Sequence, residues 1–254
     1  MILTIEHGKV RELQLNHPPA NALGPQLISE LRNAIEHAPQ DGVRALVLSG
    51  FPGRFSGGLD VPLLLTLDRT AMAAVWKDFY ALLRALACSP IPVAAAITGH
   101  APAGGTVLAL FCDRRFVAQG DWKIGLNEVR VGIPLPPVIL GALQRTVGMR
   151  QAERLAVTGT LISPAEAAQV GLVDEIVPAE SVIQAAVRWC DELLDFPPQA
   201  VALTRRKARA DLAILFDSDV NAELDEVIAG WWADETQTVL RRLVDELAKK
   251  RAKA

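Results

Sequence analysis

Two glycine-rich stretches hold the residue types best suited to chemistry. The first reads Phe55-Ser56-Gly57-Gly58-Leu59-Asp60, the second Gly99-His100-Ala101-Pro102-Ala103-Gly104-Gly105-Thr106. Each follows a compact apolar run and precedes residues of helical period. Glycine lets the backbone approach a ligand closely, and an N–H at a helix start carries the positive end of the helix dipole. Two such loops can aim two N–H groups at one developing negative oxygen, the arrangement called an oxyanion hole. Taken singly, each loop fits equally well a segment that only turns the chain.

Other chemistries find little support. Neither loop carries G-x-x-x-x-G-K-[ST], and no G-x-G-x-x-G follows the first strand. Ser56 stands outside G-x-S-x-G, and no histidine pairs with it by pattern. His7, His17, His37 and His100 lack metal-ligand spacing. Of these, His7 and His37 read as surface or turn residues, and His100 as a loop filler that can touch a ligand. Cys88, Cys112 and Cys190 are odd in number and far apart, which suits a reducing compartment better than a disulfide framework.

These loops need a scaffold, and the composition supplies one. Half of the 254 residues are hydrophobic (50%) and 22% are charged, so a substantial core can form. A net charge of −3 gives no global positive field for a nucleic-acid backbone. The longest apolar region, 91–111, is broken by Pro92, Gly99, Pro102, Gly104 and Gly105, which argues against a membrane span. The N-terminus lacks the pattern of a secretory signal, and the expected location is cytoplasmic.

Along the chain, 3–15 reads as two strands joined at His7-Gly8, Pro25 opens a helix that ends near Pro39, and 43–48 is a compact strand. A helix is expected over 70–87, a buried strand over 93–98 and another over 116–118. Helices follow near 136–146, 151–156 and 164–169, then a strand at 172–177. Strands alternating with helices favour an α/β fold with parallel pairing. From Ala179 onward the chain reads as helical, with a break at Pro197-Pro198. A helical tail of this kind packs on itself or on a neighbouring subunit. The expected division is a core over 1–195 and a helical oligomerisation region over 196–254.

The combined motifs resemble the crotonase, or enoyl-CoA hydratase/isomerase, superfamily over nearly the whole chain. That family carries F-S-x-G-x-D in its first loop, G-x-x-x-x-G-G in its second and an acidic residue further on. Here the later stretch is Ile124-Gly125-Leu126-Asn127-Glu128. Asn21-Ala22-Leu23, Gly148-Met149-Arg150-Gln151-Ala152, Thr158-Gly159, Ser163-Pro164-Ala165-Glu166-Ala167 and Gly171-Leu172-Val173-Asp174 agree with its other signatures. The resemblance implies a spiral of β-β-α turns, with C-terminal helices that build trimers, often paired into hexamers. It places the oxyanion hole on the backbone N–H groups of Leu59 and Gly104, holding the thioester carbonyl of an acyl-CoA.

Two positions then bear on the reaction. Hydratases of this family use two glutamates around one water; the first falls on Val107, which cannot bind or deprotonate water, and the second on Glu128. One carboxylate is what a 1,3-proton shift needs, and burial should raise its pKa toward that task. Pro102-Ala103-Gly104-Gly105, the apolar residue at 107 and Ile-Gly-Leu-Asn-Glu are most similar to the short-chain Δ3,Δ2-enoyl-CoA isomerase group, although Gly57 stands where alanine or serine is usual. The expectation is an isomerase using Glu128, in fatty-acid degradation. The alternatives are a hydratase with an unrecognised second acid, Asp60 being nearest in sequence but better suited to capping a helix, and a weakly catalytic acyl-CoA-binding subunit.

By the same resemblance Ala20, Leu23, Ser56, Gly57, Gly58 and Asp60 line the CoA groove, Asn127 sits beside the base, and Lys207 meets the CoA phosphates. The run Arg205-Arg206-Lys207-Ala208-Arg209 reads either that way or as a solvated helix face. Trp76, Phe79 and Tyr80 bound the acyl pocket or fill the core, and Trp231-Trp232 belong to core or interface. Expected partners are the acyl-CoA substrate and copies of the same chain, as a trimer or dimer of trimers, with no nucleic acid and no membrane. No cofactor or metal is expected, coenzyme A being part of the substrate.

Overall fold

The computed structural model describes residues 1–217 and 220–251. A six-stranded sheet runs in the order β1 (Ile2–His7), β2 (Val10–Leu15), β3 (Ala45–Ser49), β5 (Val93–Ile97), β7 (Arg114–Ala118), β9 (Glu175–Val177). Only β1 and β2 pair antiparallel; every later pairing in this sheet is parallel. Strands β3 and β5 are buried on both faces, as continuous apolar runs in a covered parallel sheet should be. Leu46, Leu48, Ala95 and Ile97 face the main core beneath α1 (Pro25–His37) and α3 (Arg69–Cys88). Ala45, Val47, Ala94 and Ala96 face α8 (Val182–Leu194).

The second sheet is small and decides where the chemistry goes. Strands β4 (Gly53–Arg54), β6 (Gly99–Pro102) and β8 (Ile124–Gly125) pair in parallel, in that order. Each continues the chain from a strand of the large sheet, so β3–β4, β5–β6 and β7–β8 are successive turns of one spiral. The segments leaving β4, β6 and β8 therefore emerge at one edge: the loop 55–60, Gly104 and Asn127-Glu128. Close approach sets the register. A Cβ on Gly99 would lie 2.0 Å from the carbonyl carbon of Gly53, so only glycine fits there.

After the first loop comes α2 (Val61–Leu64), and after the second α4 (Gly104–Leu110). Helices α5 (Pro137–Val147), α6 (Met149–Thr158) and α7 (Pro164–Gln169) precede β9. Residues 99–102, which read as loop in the sequence, form β6. The strand expected over 172–177 is shorter, because the Leu172 and Val173 N–H groups return to Ala167 O at the end of α7 rather than to the sheet.

Beyond α8 run α9 (Pro198–Ala208), α10 (Ala210–Ile214), α11 (Val220–Trp231) and α12 (Asp234–Arg251). The boundary expected after residue 195 falls between α8 and α9. Residues 218–219 and 252–254 of that helical region lie outside the described residues. Leu212, Phe216, Leu224, Val227, Trp231 and Leu240 join the same hydrophobic core as the spiral, so the tail is built onto its own chain. Trp231 is thus a core residue, while Trp232 packs under the Arg69 guanidinium at 5.0 Å.

Candidate active site

The edge where the three small strands end opens into a cavity of about 530 Å³. Its walls come from both glycine loops (Gly57, Leu59, Asp60, Pro102, Ala103, Gly104), from Val107 of α4, and from Asn127 and Glu128. Trp76 and Phe79 of α3 and Leu243 and Leu247 of α12 close the apolar side. His17, Pro18, Pro19, Ala20 and Arg54 line the rest together with other, mostly apolar, side chains.

The first loop is held from behind. Gly57 N–H donates to Ala20 O (2.7 Å), Leu23 N–H to Gly58 O (2.8 Å) and Asp60 N–H to Leu23 O (3.1 Å). Asn21, buried with φ +50°, donates through Nδ2 to Phe55 O (3.0 Å) and accepts His17 N–H (2.7 Å). These bonds use the amides on either side of Leu59 and leave its own N–H with no partner among the described residues. The second loop enters α4 through Ala103 at φ 49°, ψ −121°, a conformation strained for a residue with a side chain. Ala103 N–H donates to Gly125 O (2.8 Å), and Thr106 Oγ1 donates to Ala101 O (2.5 Å) while accepting Gly125 N–H (2.8 Å). Gly104 N–H, at the first position of α4, is likewise open. The loops touch: a Cβ on Gly104 would lie 3.1 Å from Gly58 Cα and 2.9 Å from Leu23 Cδ1. Two unspent backbone donors from touching loops thus flank one cavity.

Glu128 opens a single 3₁₀ turn, Glu128–Val131, directly after β8. Gly132 ends that turn in the left-handed region, and its carbonyl accepts the Thr236 Oγ1 hydroxyl of α12 (2.6 Å). Glu128 Oε2 is shielded from solvent without a hydrogen-bond partner, as is Asn127 Oδ1. Burial without a cationic partner disfavours the carboxylate, and the Glu128 pKa is pushed up to about 7, against a smaller opposing effect of its own backbone N–H. The cavity's other carboxylate, Asp60, caps α2 by accepting Leu63 N–H (3.2 Å).

Ala20, Gly57, Leu59, Asp60, Gly104, Asn127 and Glu128 therefore meet at one cavity. Leu23, Ser56 and Gly58 lie one layer behind it. Ser56 is fully buried, donating through Oγ to Asn21 O (2.8 Å) and accepting Gly58 N–H (3.2 Å), and Leu23 is packed under Gly104. Lys207 stands exposed on α9, away from the cavity lining. The run 205–209 is not one solvent-facing patch: Arg205 and Arg209, four positions apart on the helix, turn inward to Asp113. His100 fills its loop, accepting Lys123 N–H (3.1 Å) and meeting Trp122 edge-on at 5.3 Å. Tyr80 points away from the cavity toward Glu223 (3.4 Å). Sequence reasoning missed Arg54 and the α12 leucines. Only the i, i+4 spacing of Leu243 and Leu247 hinted at the latter, and that spacing equally describes core packing.

Open backbone donors from two glycine loops and one shielded carboxylate line the same cavity on a β-β-α spiral, a set that can stabilise a negative oxygen and move a proton. The chain belongs to the enoyl-CoA hydratase/isomerase family, whose model matches residues 6–225. The human enoyl-CoA delta isomerase 1, mitochondrial, is 33% identical over 245 residues, covering 95% of this chain and 81% of the relative. A probable enoyl-CoA hydratase of Mycobacterium avium is 35% identical over 197 residues, covering 76% of this chain and 75% of the relative. The crystal structure of human mitochondrial delta3-delta2-enoyl-CoA isomerase superposes with a TM-score of 0.93 at 32% identity, covering 98% of each chain. Among the described residues no helix is long and apolar enough to cross a membrane, and no cluster of three metal-ligating side chains occurs.

Proposed function

We propose that this chain is a Δ3,Δ2-enoyl-CoA isomerase working with one base. The observation that carries the reading is that Glu128, with its Oε2 shielded and unpaired, and the apolar Val107 line the same cavity. The Glu128 carboxylate takes a proton from C2 of a 3-enoyl thioester. The C2–H electron pair becomes a dienolate whose negative charge collects on the thioester oxygen, between the Leu59 and Gly104 N–H groups. Glu128, now protonated, returns the proton at C4, and the double bond rests between C2 and C3. The pKa of about 7 suits both halves, since the group must accept and then donate near neutral pH.

Hydration would need a second group to hold water. Asp60, the only other carboxylate lining the cavity among the described residues, is engaged at the start of α2, and Val107 offers nothing to a water molecule. No cofactor is required beyond the coenzyme A of the substrate. For the CoA phosphates, Arg54 at the cavity is a better-placed cation than Lys207 within one chain. Assembly into trimers, and a cytoplasmic location in keeping with three unbridged cysteines, complete the reading. The test is turnover of a trans-3-enoyl-CoA, followed by the ultraviolet absorbance of the conjugated product, beside Glu128→Gln. Conjugation that the substitution abolishes supports the reading. Tight CoA-ester binding with no conjugation from the unmodified chain would overturn it.

A further inference from the structure

The arginines that turn inward from the 205–209 run have a specific target. Arg209 is buried, and its guanidinium donates to Phe111 O through Nη2 (2.7 Å), Cys112 O through Nη1 (3.4 Å), Ala87 O through Nε (3.2 Å) and Leu86 O through Nη2 (3.5 Å). The first two carbonyls belong to the two residues that directly follow α4, and the other two to the last turn of α3. Asp113 steadies the guanidinium from beyond α4: its Oδ1 lies 3.1 Å from Arg209 Nη1, and the same carboxylate accepts both Nε and Nη2 of Arg205 (2.8 Å each) and Val93 N–H (2.8 Å). Arg205 also donates to Ser89 O, just past α3.

Both helices gripped here wall the cavity. Trp76 and Phe79 come from α3, and Gly104 and Val107 from α4. Helix α4 has only seven residues. At 1.5 Å rise per residue it is about 10 Å long, so its two ends move as one short rod. At the N-terminal end it presents the Gly104 N–H; just past the other end, the carbonyls of Phe111 and Cys112 accept from Arg209. A buried fork of fixed donors determines the direction of those carbonyls more tightly than packing alone.

We infer that Arg209 is a positioning residue for the oxyanion hole: it fixes the C-terminal end of α4 and thereby the aim of the Gly104 N–H. The inference rests on the reading of Leu59 and Gly104 as donors to the thioester carbonyl. It assigns to the C-terminal helices a role in catalysis that involves no contact with substrate.

The test uses a CoA thioester of an electron-rich arylacrylic acid, whose absorption moves to longer wavelength when hydrogen bonds polarise its carbonyl. The shift at saturation is measured for the unmodified chain, Arg209→Met, Arg209→Lys and Asp113→Asn, each well below its melting temperature, with kcat and KM for the 3-enoyl substrate alongside. Arg209→Met should bind the probe but lose most of the shift, and kcat should fall about tenfold with KM nearly unchanged, as expected when a donor is misaimed by a fraction of an ångström. Arg209→Lys should lie between. If Arg209→Met does not fold, Asp113→Asn answers the question, because it keeps the buried Arg209 cation while weakening the carboxylate that holds it together with Arg205; a diminished shift supports the inference. A full shift and unchanged kcat in a folded Arg209→Met or Asp113→Asn chain would overturn it and leave the site reading intact. No shift in the unmodified chain would overturn the oxyanion hole itself, and this inference with it.

Discussion

Replacing Glu128 by glutamine should stop turnover and stabilise the protein, and the stabilisation should depend on pH in a defined direction. The folded-state pKa of Glu128, about 7, lies above the 4.5 of an ordinary glutamate because burial disfavours its charge. Well below the lower value both folded and unfolded chains hold the proton, and the residue costs nothing. Between the two values the unfolded chain releases its proton while the folded chain keeps it, so stability falls as pH rises. Above the higher value the whole cost is present. At about 1.4 kcal/mol per pKa unit the full cost is about 3 kcal/mol. Glutamine cannot ionise and recovers that amount only where it is being lost: almost none near pH 4, nearly all near pH 8. For a chain of this length that corresponds to a rise in melting temperature of about 6–12 °C at alkaline pH.

Calorimetric melting of both proteins in matched buffers across this range reads the effect directly, since every other titrating group cancels in the difference. In parallel, kcat/KM of the unmodified chain should rise with pH to a plateau, with its midpoint near 7, because the free enzyme needs the ionised base. The variant should lose about a hundredfold or more in kcat. Equal melting temperatures at all pH values, or a gain confined to acid, would refute the account of a desolvated, unpartnered carboxylate. Lost turnover with no alkaline stabilisation would mean that the charge of Glu128 is compensated in solution.

Three further outcomes follow from the same geometry. Gly104→Ala sets a Cβ 2.9 Å from Leu23 Cδ1 and 3.1 Å from Gly58 Cα, so α4 must shift; kcat should fall on the order of a hundredfold while circular dichroism stays native, as for loss of one oxyanion donor. Val107→Glu buries a second carboxylate in the cavity wall; urea denaturation should show a loss of about 2 kcal/mol or more at neutral pH, and hydration of a 2-enoyl-CoA, followed as loss of conjugated absorbance, should rise above that of the unmodified chain. Ala103→Gly relieves the positive φ at the entry to α4, and the denaturation midpoint should rise by the equivalent of about 1 kcal/mol.

How far the sequence could be read depended on whether a residue's partner lies near it in the chain. The strands over 43–48 and 93–98 and the helix over 70–87 declare themselves by local period, and they stand within two residues of β3, β5 and α3. The glycines were legible for a different reason: at Gly99 a Cβ would meet backbone at 2.0 Å, which excludes every other residue, and at Gly104 it would press on Gly58 Cα at 3.1 Å. Strands β4 and β8 have two residues each and no period to detect, so the small sheet that gathers the site was invisible. Nothing in its sequence neighbours marks Glu128 as shielded; the resemblance to a family singled it out, and its cavity is walled by elements distant in sequence such as α12. The 205–209 run misled because Arg209 answers to Leu86, Phe111 and Asp113, residues far from it in the chain. Two arginines at i, i+4 beside exposed neighbours were compatible with either face.

The site divides its work between backbone and side chains, and that division bears on how the reaction can change. On the proposed reading, charge on the thioester oxygen is met by two N–H groups whose positions follow from strand register and close glycine contacts. Those features belong to the spiral and change only where an added side chain displaces its backbone, as at Gly104. The same reading rests proton transfer on position 128 and the handling of water on position 107, both of which line one cavity. A carboxylate at 107 would hold water against the acyl chain, whereas Val107 extends the apolar wall from α4 toward Trp76 and Phe79. If the proposed isomerase reading holds, a proton lifted from C2 waits on Glu128 and the conjugated product meets no nucleophile beside C3. On that reading the apolar residue at 107 does more than leave out a second acid: it protects the one-base cycle from the addition that would otherwise follow it.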